Sequence, residues 1–72
     1  LHGPRDDGAR APGRLEALCL QARAETHRAL GDAAAAERDI DRSAAIARAL
    51  GDPALNARAD ALRGVLRWAQ DR

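Results

Sequence analysis

The sequence predicts an all-α fold of three helices joined by two tight turns. The pentapeptide Arg-Ala-Leu-Gly-Asp occurs twice, at residues 28–32 and 48–52. A glycine behind a run of helix-forming residues supplies the left-handed conformation that ends a helix, and the following aspartate can cap the next helix. Before, between and after the two copies, apolar residues recur every three or four positions, which is the helical period.

The first helix is predicted over residues 15–30. Its proposed buried face is broad and consists of Leu15, Leu18, Ala22, Ala29 and Leu30, with Cys19 beside it. Residues 1–14 hold three of the six glycines and two of the three prolines, and only one large apolar side chain. This composition predicts a flexible arm or linker ahead of the helical domain, which we place at residues 15–72.

The second helix is predicted over residues 33–50. Its expected buried stripe comprises Ala33, Ala36, Ile40, Ser43 or Ala44, Ala47 and Leu50. The opposite face carries the charged residues Glu37, Arg38, Asp39, Asp41, Arg42 and Arg48. We interpret this second face as solvated, with Arg38 and Asp41 close enough to form a weak ion pair.

The third helix is predicted over residues 53–70 and begins with Pro53, which is favoured at a first helical position because its missing N–H would have no partner there. A narrow apolar seam runs along it through Leu55, Ala59, Leu62, Leu66 and Ala69, and Val65 widens this seam. Gly64 in mid-helix predicts the close approach of another helix. Trp68 lies off the seam, so it either packs against a neighbour or lies along the surface.

Composition and charge exclude several classes of function. Nineteen alanines and only thirteen large apolar residues predict a thin core with closely approaching helices. Twelve arginines, without lysine, face eleven acidic residues, so direct contact with nucleic acid is not expected. A single cysteine, no signal-peptide pattern and no membrane-length apolar run predict a cytoplasmic setting, with no membrane partner. Arginine without lysine, among many alanines and glycines, is typical of GC-rich bacterial genomes.

The sequence contains no recognisable catalytic, cofactor or metal site, and we predict no enzymatic activity. Cys19 and His27 are eight residues apart, about 12 Å along a helix, which is too far for a nucleophile and its base. Asp39 and Asp41 are two residues apart on a helix and diverge, so they form neither a carboxylate pair nor a metal site. A phosphate-binding loop of the Walker type would require a lysine.

From Ala17 onward the sequence resembles tetratricopeptide repeats, which are units of two antiparallel helices. The small, glycine and bulky apolar positions of that repeat are matched by Ala24, Gly31, Ala36, Ile40 and Ser43. Ala54 to Arg72 then resembles the first helix of a following unit, with Gly64 as its small residue. The resemblance implies three antiparallel helices in a helix-hairpin, tetratricopeptide-like arrangement.

Residues 47–54 (ARALGDPA) and 57–71 (ARADALRGVLRWAQD) are similar to degenerate repeats in the C-terminal arrays of large actinobacterial transcriptional regulators of the LuxR-type and antibiotic-regulatory classes. In those families such repeats serve protein contact, which implies a protein-interaction module with adjacent repeats, another domain or a peptide as its partner. First helices line the concave face of such arrays. The resemblance therefore implies interaction residues on the first and third helices, namely Leu20, Arg23, Ala24, His27, Asp60, Arg63, Arg67 and Trp68.

A second interpretation stays open alongside the repeat array. The chain could form a stand-alone three-helix bundle that acts as a dimerisation or assembly element. Its homodimer interface would then be the apolar seam of the third helix, through Leu55, Leu62 and Leu66.

Overall fold

A computed structural model describes residues 13–71, and within this range it contains helices and turns without a strand. The helices are α1 (Arg14–Ala29), α2 (Ala33–Leu50) and α3 (Pro53–Asp71). The all-α prediction is confirmed, and every helix boundary lies within one residue of its predicted position. Most of the predicted arm, residues 1–12, lies outside the described residues, and its last residue, Arg14, already belongs to α1.

The first pentapeptide forms the joint between α1 and α2. Gly31 has a φ of +86°, the left-handed conformation that favours glycine. Its amide donates to the carbonyl oxygen of Arg28 at 3.0 Å, and the amide of Asp32 donates to the carbonyl oxygen of His27 at 2.8 Å. The Asp32 carboxylate then accepts the amide of Ala35 at 3.1 Å. This joint therefore ends α1 with a Schellman motif and caps α2 with the next residue.

The second pentapeptide repeats this bonding between α2 and α3. Gly51 has a φ of +65°, and its amide donates to the carbonyl oxygen of Arg48 at 3.1 Å. The amide of Asp52 donates to the carbonyl oxygen of Ala47 at 3.0 Å, and its carboxylate accepts the amide of Leu55 at 3.0 Å. The predicted role of the pentapeptide as helix stop and helix cap is confirmed at both copies.

The core consists of small side chains arranged in two clusters along the helices. One cluster contains Ala17, Leu20, Ile46, Ala47 and Leu55, and the other contains Ala24, Ala36, Ile40, Ala44, Ala59 and Leu66. All three helices contribute to both clusters, so α1, α2 and α3 pack on one another. Alanines form about half of this core, which lets the helix backbones approach closely, as the composition predicts.

The predicted buried face of α1 is wrong. Leu15 is 74% exposed and Leu30 is 77% exposed, while Leu18 is half-buried. Ala22, Ala29 and Cys19 are also exposed. The buried side of α1 consists instead of Ala17, Leu20, Gln21 and Ala24. Ala17 and Ala24 on this side let the backbone of α2 approach, and Leu20 between them packs in one cluster with Ile46 and Ala47 of α2.

The predicted faces of α2 and α3 agree better with the structure. In α2, all the central stripe residues are buried, namely Ala36, Ile40, Ser43, Ala44 and Ala47, whereas Leu50 at the second joint is exposed. In α3, Leu55, Ala59 and Leu66 are buried and Leu62 is half-buried, but Ala69 is exposed. Because this seam packs against α1 and α2, it cannot also serve as the predicted homodimer interface.

The side of α3 opposite its seam faces outward. Gly64 is exposed, and a Cβ built there would meet no atom within 4 Å, so among the described residues the predicted close helix contact is absent. Val65 does not widen the buried seam, since it is 46% exposed. Trp68 is 63% exposed, which places it on the surface.

Candidate interaction surface

A shallow groove lies between α1 and α3. Its volume is about 350 Å³. The lining residues are Leu18, Gln21, Ala22 and Glu25 from α1 and Arg58, Ala61 and Leu62 from α3. Four of the seven are apolar, and Glu25 and Arg58 supply one charge of each sign. The groove can therefore hold an apolar side chain beside polar or charged groups.

Gln21 fixes the relative position of the two helices beneath this groove. Its side chain is 1% exposed. The Nε2 atom donates to the carbonyl oxygen of Leu55 at 3.3 Å, and the Oε1 atom accepts a hydrogen bond from Nε of Arg58 at 3.0 Å. Both ends of the buried amide are thus satisfied by α3, which removes the cost of burying it.

The two charged residues of the groove, Arg58 and Glu25, each contact another side chain of the protein. Arg58 donates to the Gln21 side chain through its Nε atom. Glu25 accepts from Arg28 of the same helix at 2.8 Å, in a half-buried i, i+3 pair at the surface. Surface pairs of this kind contribute little to stability, so Glu25 can exchange Arg28 for a cation on a ligand at small cost.

A buried carboxylate, that of Asp39 in α2, faces the side of α1 that carries Arg23 and His27. Asp39 is 6% exposed, so its assignment to a solvated face is wrong. Arg23 donates to both carboxylate oxygens at 2.9 Å, and Nε2 of His27 is 3.6 Å from one of them. The hydrogen bonds from Arg23 hold the pKa of Asp39 below its usual 3.8, although burial opposes them. The same contact raises the pKa of Arg23.

The joint between α2 and α3 contains a second carboxylate with a lowered pKa. The amide of Leu55 donates to Asp52, and this bond is the main reason why the pKa of Asp52 lies below its usual 3.8. Arg14, at the start of α1, forms an ion pair with the same carboxylate. Asp52 therefore caps α3 and also connects the beginning of α1 to this joint.

Asp41 of α2 pairs with α3 and not with its predicted neighbour Arg38. Arg63 donates to the Asp41 carboxylate at 2.7 Å and lies 3.4 Å from the carboxylate of Asp60, one turn earlier on α3. Of these three residues, Asp41 and Asp60 are exposed, and Arg63 is half-buried. The contact is a surface link between α2 and α3.

The residues predicted to line a concave face do not lie together. Leu20 and Ala24 are buried, which removes them from any open surface, and Arg23 and His27 are engaged by Asp39 on the α2 side. On α3, Asp60, Arg67 and Trp68 are exposed, and Arg63 contacts α2. Whether the exposed residues bind a partner stays a prediction.

The sequence interpretation missed the residues that do line the groove. The helical period predicts buried positions for Leu18, Ala22 and Leu62, and it indicates no role for Gln21, Glu25, Arg58 and Ala61. A signal for them was present, because Leu15, Leu18 and Ala22 form the most apolar face of α1 and this face is open. An apolar helix face of this kind at the surface is typical of an interaction site.

Among residues 13–71, no three His, Cys, Asp or Glu side chains lie close enough together to hold a metal ion. In the same part of the chain, no helix is both long enough and apolar enough to cross a membrane. Comparison of the chain with known proteins found no matching family model, no matching curated protein and no matching solved structure.

Proposed function

We propose that this chain is a protein-interaction module that holds a segment of another protein in the groove between α1 and α3. The observation that carries this proposal is the groove itself, with its apolar lining beside Glu25 and Arg58. A volume of about 350 Å³ lies at the small end of ligand pockets and suits one or two large apolar side chains. The charged pair would orient the segment through its own polar groups.

The proposed module is of the helix-hairpin repeat type. The resemblance places small residues at Ala24 and Ala36 and a bulky apolar residue at Ile40. These three residues belong to one core cluster, which supports the repeat arrangement. Ala17 clusters with Ala47 near the other end of α1. The order of these contacts supports an antiparallel hairpin of α1 and α2, with α3 as the first helix of a following unit.

We extend this proposal to the parent protein, which we infer to be a bacterial transcriptional regulator with an array of such units. The extension rests on the sequence resemblance, and the two joints support it because both make the tight helix-to-helix connection that an array of hairpins needs. The open reading frame on either side of the chain tests it. We expect further helix pairs with Gly-Asp joints, together with an ATPase or a DNA-binding domain, and a flanking sequence without either would contradict the extension.

The groove is tested by selecting peptides from a phage-displayed random library on the immobilised 72-residue chain. Selected peptides are synthesised and their affinities are measured by fluorescence anisotropy. The diagnostic variant is Ala22→Glu, which places a carboxylate in the groove at an exposed position. The matched control is Ala45→Glu, which makes the same change at an exposed position on α2.

We expect peptides with large apolar side chains whose affinity falls at least tenfold with Ala22→Glu and is unchanged with Ala45→Glu. A tenfold loss corresponds to about 1.4 kcal/mol, the scale of burying a charge against an apolar side chain. Equal binding by the wild type and Ala22→Glu would show that the groove is not the site. A failure to select any peptide would contradict the proposed function.

A further inference from the structure

The outer face of α3 is a second apolar surface, which adjoins the groove and shares Ala61 with it. Its residues recur every three or four positions along the helix, and all are exposed: Ala54, Ala57, Ala61, Gly64, Val65 and Trp68. No charged residue interrupts this series. It points away from the buried seam of Leu55, Ala59 and Leu66, and a Cβ at Gly64 would meet open space. Spacings of three and four are those of a helix that pairs with another helix.

The edge of this outer face carries two opposite charges. Asp60 directly precedes Ala61, and Arg67 directly precedes Trp68, so the two charges lie on the same edge and two helical turns apart. Asp60 and Arg67 are both exposed. The Asp60 carboxylate lies 3.4 Å from the guanidinium group of Arg63, and this ion pair is long and lies at the surface.

From this arrangement we propose that α3 pairs with α3 of a second copy of the chain, in antiparallel orientation, through the outer face. Antiparallel pairing with Ala61 beside Gly64 of the second copy also sets Trp68 beside Ala57 of the second copy, since both pairs are symmetric about the same point. Trp68, the largest side chain of the face, thus meets small residues. Because the other contacts are made by alanines and Gly64, the two helix backbones can approach closely.

The same register brings the edge charges together. In an antiparallel helix pair, equivalent edges of the two helices face each other, so Asp60 lies beside Arg67 of the second copy and Arg67 beside Asp60 of the second copy. Charges at such flanking positions determine the partner and the orientation of paired helices. In a parallel pair, Asp60 would face the edge that carries Val65, and the two tryptophans would meet each other. Charge and shape therefore both select the antiparallel dimer.

A single helix pair buries little surface, within the class of weak interfaces below about 1,200 Å². We expect a dissociation constant on the order of 100 µM, so the dimer forms at high concentration and separates on dilution. The interface does not depend on the proposed peptide-binding function. Ala22 lies outside it, so Ala22→Glu should leave dimerisation unchanged, and Asp60→Arg should leave peptide binding at the groove unchanged.

The test is sedimentation equilibrium of the 72-residue chain over a concentration series that spans this value. Three samples are decisive: Asp60→Arg alone, Arg67→Asp alone, and an equimolar mixture of the two variants. In each single variant two like charges face each other at both symmetry-related contacts along this edge of the dimer. In the mixture, each introduced charge faces its opposite, and both native charges find opposite partners as well. The controls are Glu37→Arg and Arg38→Asp, which make the same charge changes on the exposed side of α2.

We expect wild-type dimers, at least tenfold weaker association for each single variant, and recovery of the dimer in the mixture. Glu37→Arg and Arg38→Asp should associate like the wild type. Circular dichroism establishes that each variant is folded, and the emission of Trp68, the only tryptophan, should shift to longer wavelength on dilution. A wild-type monomer throughout the series would overturn the proposal and leave this face to a different partner. Dimers that withstand either charge change, or a mixture that does not recover, would overturn the antiparallel interface.

Discussion

Gln21 of α1 and Leu55 of α3 are thirty-four residues apart in sequence and are joined by a hydrogen bond from the Gln21 Nε2 atom to the Leu55 carbonyl oxygen. This bond secures the third helix to the first at the floor of the groove. The adjoining Arg58 contact satisfies the other end of the same amide. A polar side chain thus adds a link between two helices that also share the apolar cluster of Leu20 and Leu55.

Gln21→Ala should therefore destabilise the fold through the docking of α3. The change removes two hydrogen bonds and leaves a cavity in a buried site, and we expect a loss of about 1–3 kcal/mol in the free energy of unfolding. Urea denaturation followed by circular dichroism measures this loss. Gln70→Ala is the control, because Gln70 is exposed near the end of α3. Equal stability of the two variants would show that the Gln21 contacts are not needed.

The Arg23 and Asp39 pair should make stability depend on pH in the acidic range. Because the pKa of Asp39 is lower in the folded chain than in the unfolded chain, folding favours its ionised form. Its contribution is present above the usual value of 3.8 and is lost as the pH falls through the lowered folded value. We expect the free energy of unfolding to fall between about pH 5 and pH 3, and to fall less for Asp39→Asn than for the wild type. Urea denaturation at each pH measures this difference.

Asp52 also has a lowered pKa, so Asp39→Asn should keep part of the acid dependence. Glu37→Gln is the control for removing one carboxylate from α2, since Glu37 is exposed. This variant should retain the wild-type dependence on pH. An unchanged acid dependence in Asp39→Asn would contradict the stabilising role of the pair.

Alanine at two of the glycines should have effects of opposite sign. At Gly51 the backbone is left-handed, so Gly51→Ala should cost about 1–2 kcal/mol of stability. At Gly64 the backbone is helical and the space beside it is open, so Gly64→Ala should add about 1 kcal/mol. Thermal unfolding at low micromolar concentration, where the proposed dimer is dissociated, measures both. A stabilising Gly51→Ala would contradict the conformation of the second joint.

Asp52 has two functions that substitution can separate. Asp52→Asn keeps an oxygen that can accept the Leu55 amide but removes the charge that pairs with Arg14. Asp52→Ala removes both. We expect the melting temperature to fall in the order wild type, Asp52→Asn, Asp52→Ala, as measured by differential scanning calorimetry. Asp32→Ala, which removes a cap without an ion pair to another helix, should lower the melting temperature less than Asp52→Ala.

The helix boundaries could be predicted because their causes are local. Gly31 and Gly51 end helices through bonds that reach at most five residues back, and Asp32 and Asp52 cap helices three residues ahead. The bonds of each joint therefore lie within one short stretch of sequence, residues 27–35 for the first joint and 47–55 for the second. The seam of α3 was also predictable, since its large leucines alternate with a clear helical period.

The faces of α1 and the buried polar residues could not be predicted from local patterns. Apolar size favours the side with Leu15 and Leu18, but close packing of α1 on α2 selects the small residues Ala17 and Ala24. The burial of Asp39 depends on Arg23, sixteen residues earlier on another helix. In an alanine-rich chain, hydrophobicity differs little between the sides of a helix, so contacts between helices determine which side is buried.

The turn at each joint is formed by backbone atoms, a left-handed glycine and one aspartate side chain, and at the second joint this aspartate also pairs with Arg14. Substitutions on the outer surfaces can therefore accumulate without altering the angle at which one helix follows another. A duplicated segment of one helix and one joint, twenty residues long like the spacing of the two pentapeptides, would bring its own turn with it. The chain thus has a geometry that can be lengthened in whole steps, while its binding surfaces diverge independently of that geometry.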